Sequence, residues 1–129
     1  MSVAVLSLCR KGLKVVVCAV LGLAITGKIM TGYRPSFGIA PAIYYGISMM
    51  EVVLVVMLWL RKWRLFATIG IVAMAAIGVV WTLVSSRACP CFGSWTLSVD
   101  QHRAVAALMG FAGCVLLWCE APTYPHSSF

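Results

Sequence analysis

Two cysteines separated by one proline, Cys89-Pro90-Cys91, are the residues of this chain best suited to chemistry. Pro90 fixes its own φ and biases Cys89 toward an extended conformation, so the pair is held rather than floppy. A bridge across so short a span is strained, because the two Cα atoms must lie within about 7 Å in a restricted geometry. Strained disulfides are the easily reduced, reactive ones. Arg87, two residues before Cys89, favours a thiolate electrostatically. These features point to a redox dithiol. The same tripeptide also suits Cu(I), a soft ion that takes thiolate ligands, with His102 standing near as a further ligand. A third reading makes the cysteines a simple turn or an inert bridge.

Glu51 is the second residue to weigh. It lies inside an apolar run, and an acid at membrane depth is expensive and marks a functional position by default. Three roles are open to it: a carboxyl kept neutral, a partner for Lys28 or Arg103 from a neighbouring helix, or a proton relay. The plain reading is a polar clamp between helices. Lys28 and Arg103 both lie close enough to the surface to snorkel there. Cys9, Cys18, Cys114 and Cys119 read as small buried hydrophobes. Cys114 is worth watching, since it shares a helical face with Arg103.

What must position these residues follows from composition. The chain has 129 residues, 63% of them hydrophobic and 10% charged, and a mean hydropathy of +1.03. A soluble domain is about 45–50% apolar and about 25% charged. One small core cannot hide that surplus; lipid can. Four runs approach or exceed the roughly 20 apolar residues that cross a bilayer: Leu13–Met30, Ile39–Leu60, Leu65–Val84 and Ala104–Cys119. Ser98 and Gln101 have the spacing of a capping box, so the fourth helix is expected to begin near Ser98. Lipid leaves no partner for open backbone groups, so the fold class is all-α, a polytopic bundle of four transmembrane helices. Residues 1–120 form one domain, and 121–129, with prolines and serines, read as a disordered tail. The stripes Ala67, Gly70, Ala73, Ala76 and Ala106, Gly110, Cys114 are candidate packing faces.

A net charge of +7 suggests nucleic acid in a soluble protein, but here the cations cluster between apolar runs and set topology instead. Arg10, Lys11, Lys14, Arg61, Lys62 and Arg64 share one side; Lys28, Arg34, Arg87 and Arg103 share the other. The positive-inside rule places both termini in the cytoplasm and the Cys89/Cys91 loop outside, in the periplasm of an inner (plasma) membrane. Trp59, Trp63 and Trp118 mark one aromatic belt; Tyr33, Tyr44 and Trp81 mark the other. Arg10, Lys11 and Lys14 before the short core 15–26 have the look of a signal peptide, but residues 27–30 offer no small-x-small cleavage site.

With these residues placed, the chain resembles the MauE branch of the DoxX-like membrane proteins, from about Leu21 to Leu117. The resemblance rests on Gly27-Lys28 closing the first helix, a proline-led second helix carrying Glu51, Cys89-x-Cys91-Phe92-Gly93 after the third, and Arg103 opening the fourth. Pro90 departs from the family's usual glycine. The resemblance implies a redox-associated protein of disulfide formation or exported-protein maturation, as for the methylamine dehydrogenase light chain. It implies Cys89, Cys91, Glu51 and Arg103 as the working residues and a thioredoxin-like or exported thiol partner, with a quinone or a second redox protein as the acceptor of electrons. The alternatives are a non-enzymatic assembly subunit of a membrane redox complex and a Cu(I)-handling protein using Cys89, Cys91 and His102. Membrane lipid is the surrounding partner; nucleic acid is not one.

Overall fold

A computed structural model describes residues 2–35, 38–85 and 98–120. The described residues form four helices: α1 Val3–Thr31, α2 Pro41–Trp59, α3 Arg64–Ser85 and α4 Val99–Glu120. All four are long and apolar enough to cross a membrane, and the protein is a multi-pass, all-α membrane bundle. Among the described residues there is no strand. The helices run up and down, with α1 packed on α2, α2 on α3, α3 on α4 and α4 on α1. One end of the bundle, the loop end, holds the start of α4 and the end of α3; the termini end holds the start of α1 and the end of α4.

Local signals account for most boundaries. Ser2 caps α1, its hydroxyl accepting from the Val5 amide at 3.4 Å. That start lies ten residues before the expected Leu13: residues 3–12 continue the same helix. Gly32 ends α1 with φ +67°, a left-handed value that L side chains rarely adopt, and its amide donates to the Lys28 carbonyl at 2.8 Å. Pro41 opens α2 where a missing amide proton costs nothing. At α4 the capping box forms as expected: the Gln101 amide donates to Ser98 Oγ at 3.2 Å, and the Ser98 amide donates to Gln101 Oε1 at 2.9 Å.

Packing follows small residues, but not along the expected stripes. Ala67 is buried and Gly70 meets Leu54, whereas Ala73 and Ala76 face outward. A three-residue repeat slips about 60° per step around a 3.6-residue helix, so the stripe rotates off the interface. The buried face is Ala67, Ile71, Ala75 and Thr82. On α4, Ala106 and Gly110 do meet α3, against Gly78 and Ala75, but the next contact is Gly113 against Val72, and Cys114 is exposed. A Cβ on Gly113 would sit 2.6 Å from Val72 Cγ2, a methyl on a stiff β-branched side chain; on Gly110 it would sit 3.5 Å from Ala75 Cβ. Gly113→Ala should therefore destabilise the bundle by about 1–3 kcal/mol, while Gly110→Ala should be neutral or stabilising through helix propensity. Denaturant unfolding in mixed detergent micelles measures both. Equal effects at the two sites would refute this packing.

The apolar core lies in the middle and toward the termini end: Val17, Leu21, Leu54, Leu58, Ile71 and Leu116 are its large members. Trp59, Trp63, Trp81 and Trp118 face outward as belt residues should. Tyr44 does not. It is 2% exposed and points into the bundle, where its hydroxyl donates to the Lys28 carbonyl. A phenol needs a partner when buried, and the carbonyl at the end of α1 supplies one.

Candidate functional site

The polar groups of the loop-end half converge from all four helices. Lys28 comes from the last turn of α1 and Glu51 from the middle of α2. Their side chains meet at 2.7 Å, Nζ donating to Oε1, and each is 3% exposed. The expected choice between Lys28 and Arg103 as the Glu51 partner falls to Lys28, which does not snorkel. The Lys28 carbonyl accepts from both the Gly32 amide and the Tyr44 hydroxyl, so the backbone that carries this lysine is held from two directions. Tyr33 closes the turn between α1 and α2, donating to the Ile39 carbonyl at 2.8 Å and packing edge-on against Tyr44.

Arg103 engages a different group. Its Nη2 donates to the Thr82 carbonyl at 3.0 Å, and Nη1 lies 3.5 Å from the exposed Asp100. This ties the first turn of α4 to the last turn of α3. The carbonyl is accessible to it because Thr82 sits near a helix end, where carbonyls run out of intrahelical partners. His102, the neighbour of Arg103, turns inward and is 4% exposed.

Between these groups lies a cavity of about 80 Å³. Its walls are apolar, Met74 and Met109 among them, and three polar side chains line it: Glu51, Thr82 and His102. Glu51 Oε2 is buried and has no hydrogen-bond partner. One carboxylate oxygen is thus locked to Lys28 while the other is unsatisfied, an arrangement that costs about 1–3 kcal/mol unless something fills it.

Cys89 and Cys91, with Arg87, Pro90, Phe92 and Gly93, lie outside the described residues, as does the tail 121–129. The ends of the segment that carries the cysteines are described: Ser85 closes α3, and Ser98 caps α4. Cys9, Cys18, Cys114 and Cys119 are all free thiols, and only Cys119 is buried. The expectation of four buried cysteines fails because an apolar thiol is as comfortable against lipid as inside the bundle. Among the described residues, no three His, Cys, Asp or Glu side chains come together to hold a metal ion.

A second buried charge cluster sits at the termini end, where sequence reasoning saw only topology. Glu120, the last residue of α4, is 1% exposed and pairs with Arg64, the first residue of α3, at 3.4 Å. Lys14 is 6% exposed, feels both groups electrostatically, and stacks over the Trp59 ring at 6.0 Å. The available signal was Glu120 itself, one of only three acids in the chain, next to the end of an apolar run. Comparisons of the chain with protein-family models, with curated proteins and with solved structures found no match in any of the three.

Proposed function

We propose that this protein performs or supports thiol–disulfide exchange at the outer face of an inner (plasma) membrane, with Cys89 and Cys91 as the exchanging pair. The observation that carries the reading is the Cys89-Pro90-Cys91 tripeptide in the connection between α3 and α4. Support comes from where that connection is rooted. Its two ends belong to helices held in close contact by Gly78, Gly110 and Gly113 and joined across the top by Arg103 and the Thr82 carbonyl. Reactive pairs are best presented from a rigid base. Six of the ten basic residues flank the termini end, which by the positive-inside rule puts both termini in the cytoplasm and residues 86–97 outside. The likeness of the motifs to the MauE branch favours the same chemistry.

In the forward reaction a partner's thiolate attacks the Cys89–Cys91 bridge, forming a mixed disulfide. The partner's second thiolate resolves it, leaving the partner oxidised and this pair as a dithiol. Re-forming the bridge releases two electrons and two protons, which a membrane quinone or a second redox protein would accept.

The test is trapping. In Cys89→Ser or Cys91→Ser, expressed in cells, the remaining thiolate can still attack the disulfide of an oxidised thioredoxin-like or exported partner, the reverse of the forward step. With no neighbour to resolve it, the mixed disulfide should accumulate. An impermeant thiol reagent should label the reduced wild-type pair in intact spheroplasts. A double serine variant that still supports full function would reject the exchange reading in favour of an assembly role. A pair that never oxidises but binds one Cu(I) when reduced would reject it in favour of copper handling.

A further inference from the structure

The termini end of the bundle carries more positive charge than its own acids can neutralise. Arg10, Lys11, Lys14, Arg61, Lys62 and Arg64 lie there, and of the chain's three acidic side chains only Glu120 joins them. Much of that charge is solvated: Lys11, Arg61 and Lys62 are exposed. Lys14 is not. It is 6% exposed, yet among the described residues its ammonium makes no hydrogen bond and no ion pair. An ammonium has three protons to donate and is costly to bury unless they find acceptors.

The neighbours of Lys14 sharpen the need. Arg10 lies one turn earlier on the same face of α1 and is half-buried; Arg64 opens α3. Both act on Lys14 as like charges, and Glu120 opposes them. Glu120 is itself engaged, 3.4 Å from Arg64. Three cations and one carboxylate leave a surplus of positive charge gathered at Lys14 and Arg10.

The depth of the cluster selects what can supply the missing acceptors. Trp59 ends α2, Arg64 begins α3 and Glu120 ends α4, so three helices leave the apolar layer at this level. Trp59 and Trp63 are exposed there as an aromatic rim, and the Trp59 ring lies 6.0 Å from Lys14 Nζ. A ligand that fits must bring anionic oxygens to Lys14 and apolar surface to the rim.

We propose that Arg10, Lys14 and Arg64 form a binding site for the phosphodiester headgroup of an anionic phospholipid, seated beside Trp59 with its acyl chains against the apolar outside of the bundle. Lys14 and Arg10 donate to the phosphate oxygens, charge-assisted bonds that satisfy the buried ammonium. Arg64, held by Glu120, adds its charge from the side. The binding is non-covalent and involves no cysteine, so it stands apart from the thiol reading.

Native mass spectrometry of the full chain tests it, with release from micelles holding equal amounts of phosphatidylglycerol and phosphatidylcholine of the same acyl chains. The wild type should retain phosphatidylglycerol several-fold over phosphatidylcholine, and Lys14→Met and Arg10→Gln should each lose most of that preference. Arg61→Gln/Lys62→Gln removes two exposed charges from the same end and should keep it. Phosphatidylglycerol should also raise the unfolding midpoint of the wild type and not that of Lys14→Met, as a ligand of the folded state does. Should Lys14→Met fail to fold, Arg10→Gln decides alone. Equal retention of the two lipids would overturn the site. So would a preference that follows Arg61 and Lys62 instead of Lys14 and Arg10, the mark of general attraction to a basic surface. Inorganic phosphate should leave the lipid in place. If it displaces the lipid where chloride of the same ionic strength does not, the occupant is a soluble phosphate and the lipid assignment is overturned.

Discussion

Lys28→Met should destabilise the bundle by about 3–5 kcal/mol, because it leaves the Glu51 carboxylate buried without its counter-charge. Lys28 and Glu51 are each 3% exposed and 2.7 Å apart, so neither can recover water by a small movement. The decisive comparison is the double variant Lys28→Met/Glu51→Leu. Removing both charges abolishes the desolvation penalty along with the attraction, and apolar replacement of a buried pair is often neutral or stabilising. The double variant should therefore unfold at or above the wild-type denaturant midpoint, well above Lys28→Met. Circular dichroism of unfolding in mixed micelles gives all the midpoints. If the double variant is no more stable than Lys28→Met, the pair is not the coupled unit described here. Stability and function should also separate. A double variant that folds well but fails in its cellular role would place the pair on the functional side of the ledger.

Glu120→Leu is expected to have an effect of similar size, about 3 kcal/mol or more, for a related reason. Glu120 is the acid of a cluster whose other members, Arg64 and the buried Lys14, are cationic. Without it the cations of Lys14 and Arg64 face each other uncompensated at the end of the bundle. Lys14→Met in the Glu120→Leu background should recover a substantial part of the loss, since one cation is then gone and the long apolar side chain still covers Trp59. Arg64 is 19% exposed at its side chain and can turn toward the headgroups. The same unfolding assay reads the rescue. No rescue by Lys14→Met would mean that Lys14 and Glu120 are energetically independent.

The four spans were legible in the sequence because lipid imposes a length and forbids open backbone, constraints that need no knowledge of tertiary contacts. The α4 start was legible for a local reason: Ser98 and Gln101 satisfy each other's amides within one turn. What failed in each case depended on rotation about a helix axis. Tyr44 has the residue type and depth of a belt residue, and only the direction of its Cβ sends it to the Lys28 carbonyl. The α3 stripe of small residues had the right composition with a period that drifts.

The candidate site divides along the same line. That Glu51 needed a cation was readable from its burial cost alone, but the choice of Lys28 over Arg103 required knowing that α1 crosses α2 near its end. His102 entered the reading through its sequence proximity to the cysteines, as a metal ligand; its place in the cavity wall beside Glu51 comes only from the way α2, α3 and α4 meet. Glu120 was hidden by hydropathy, which treats a charge at the end of a span as a boundary mark. The partners that bury it lie 56 and 106 residues earlier in the chain, at Arg64 and Lys14.

The length of α1 has a mechanical consequence. Its 29 residues extend about 43 Å, against about 28 Å for the 19 residues of α2. Both meet at the loop end through Lys28 and Tyr44, so the surplus of about 15 Å overhangs at the termini end. Val3, Val5 and Leu8 are exposed on that overhang, and a Cβ on Gly12 would touch nothing within 4 Å. The first three turns of α1 thus run past the end of α2, with Leu6, Ser7 and Arg10 half-buried along them. A change in bilayer thickness would bear first on α1, the longest of the four helices, and a tilt of α1 would be carried along it to Lys28. The buried pair would register a change in the lipid some 40 Å from where it acts.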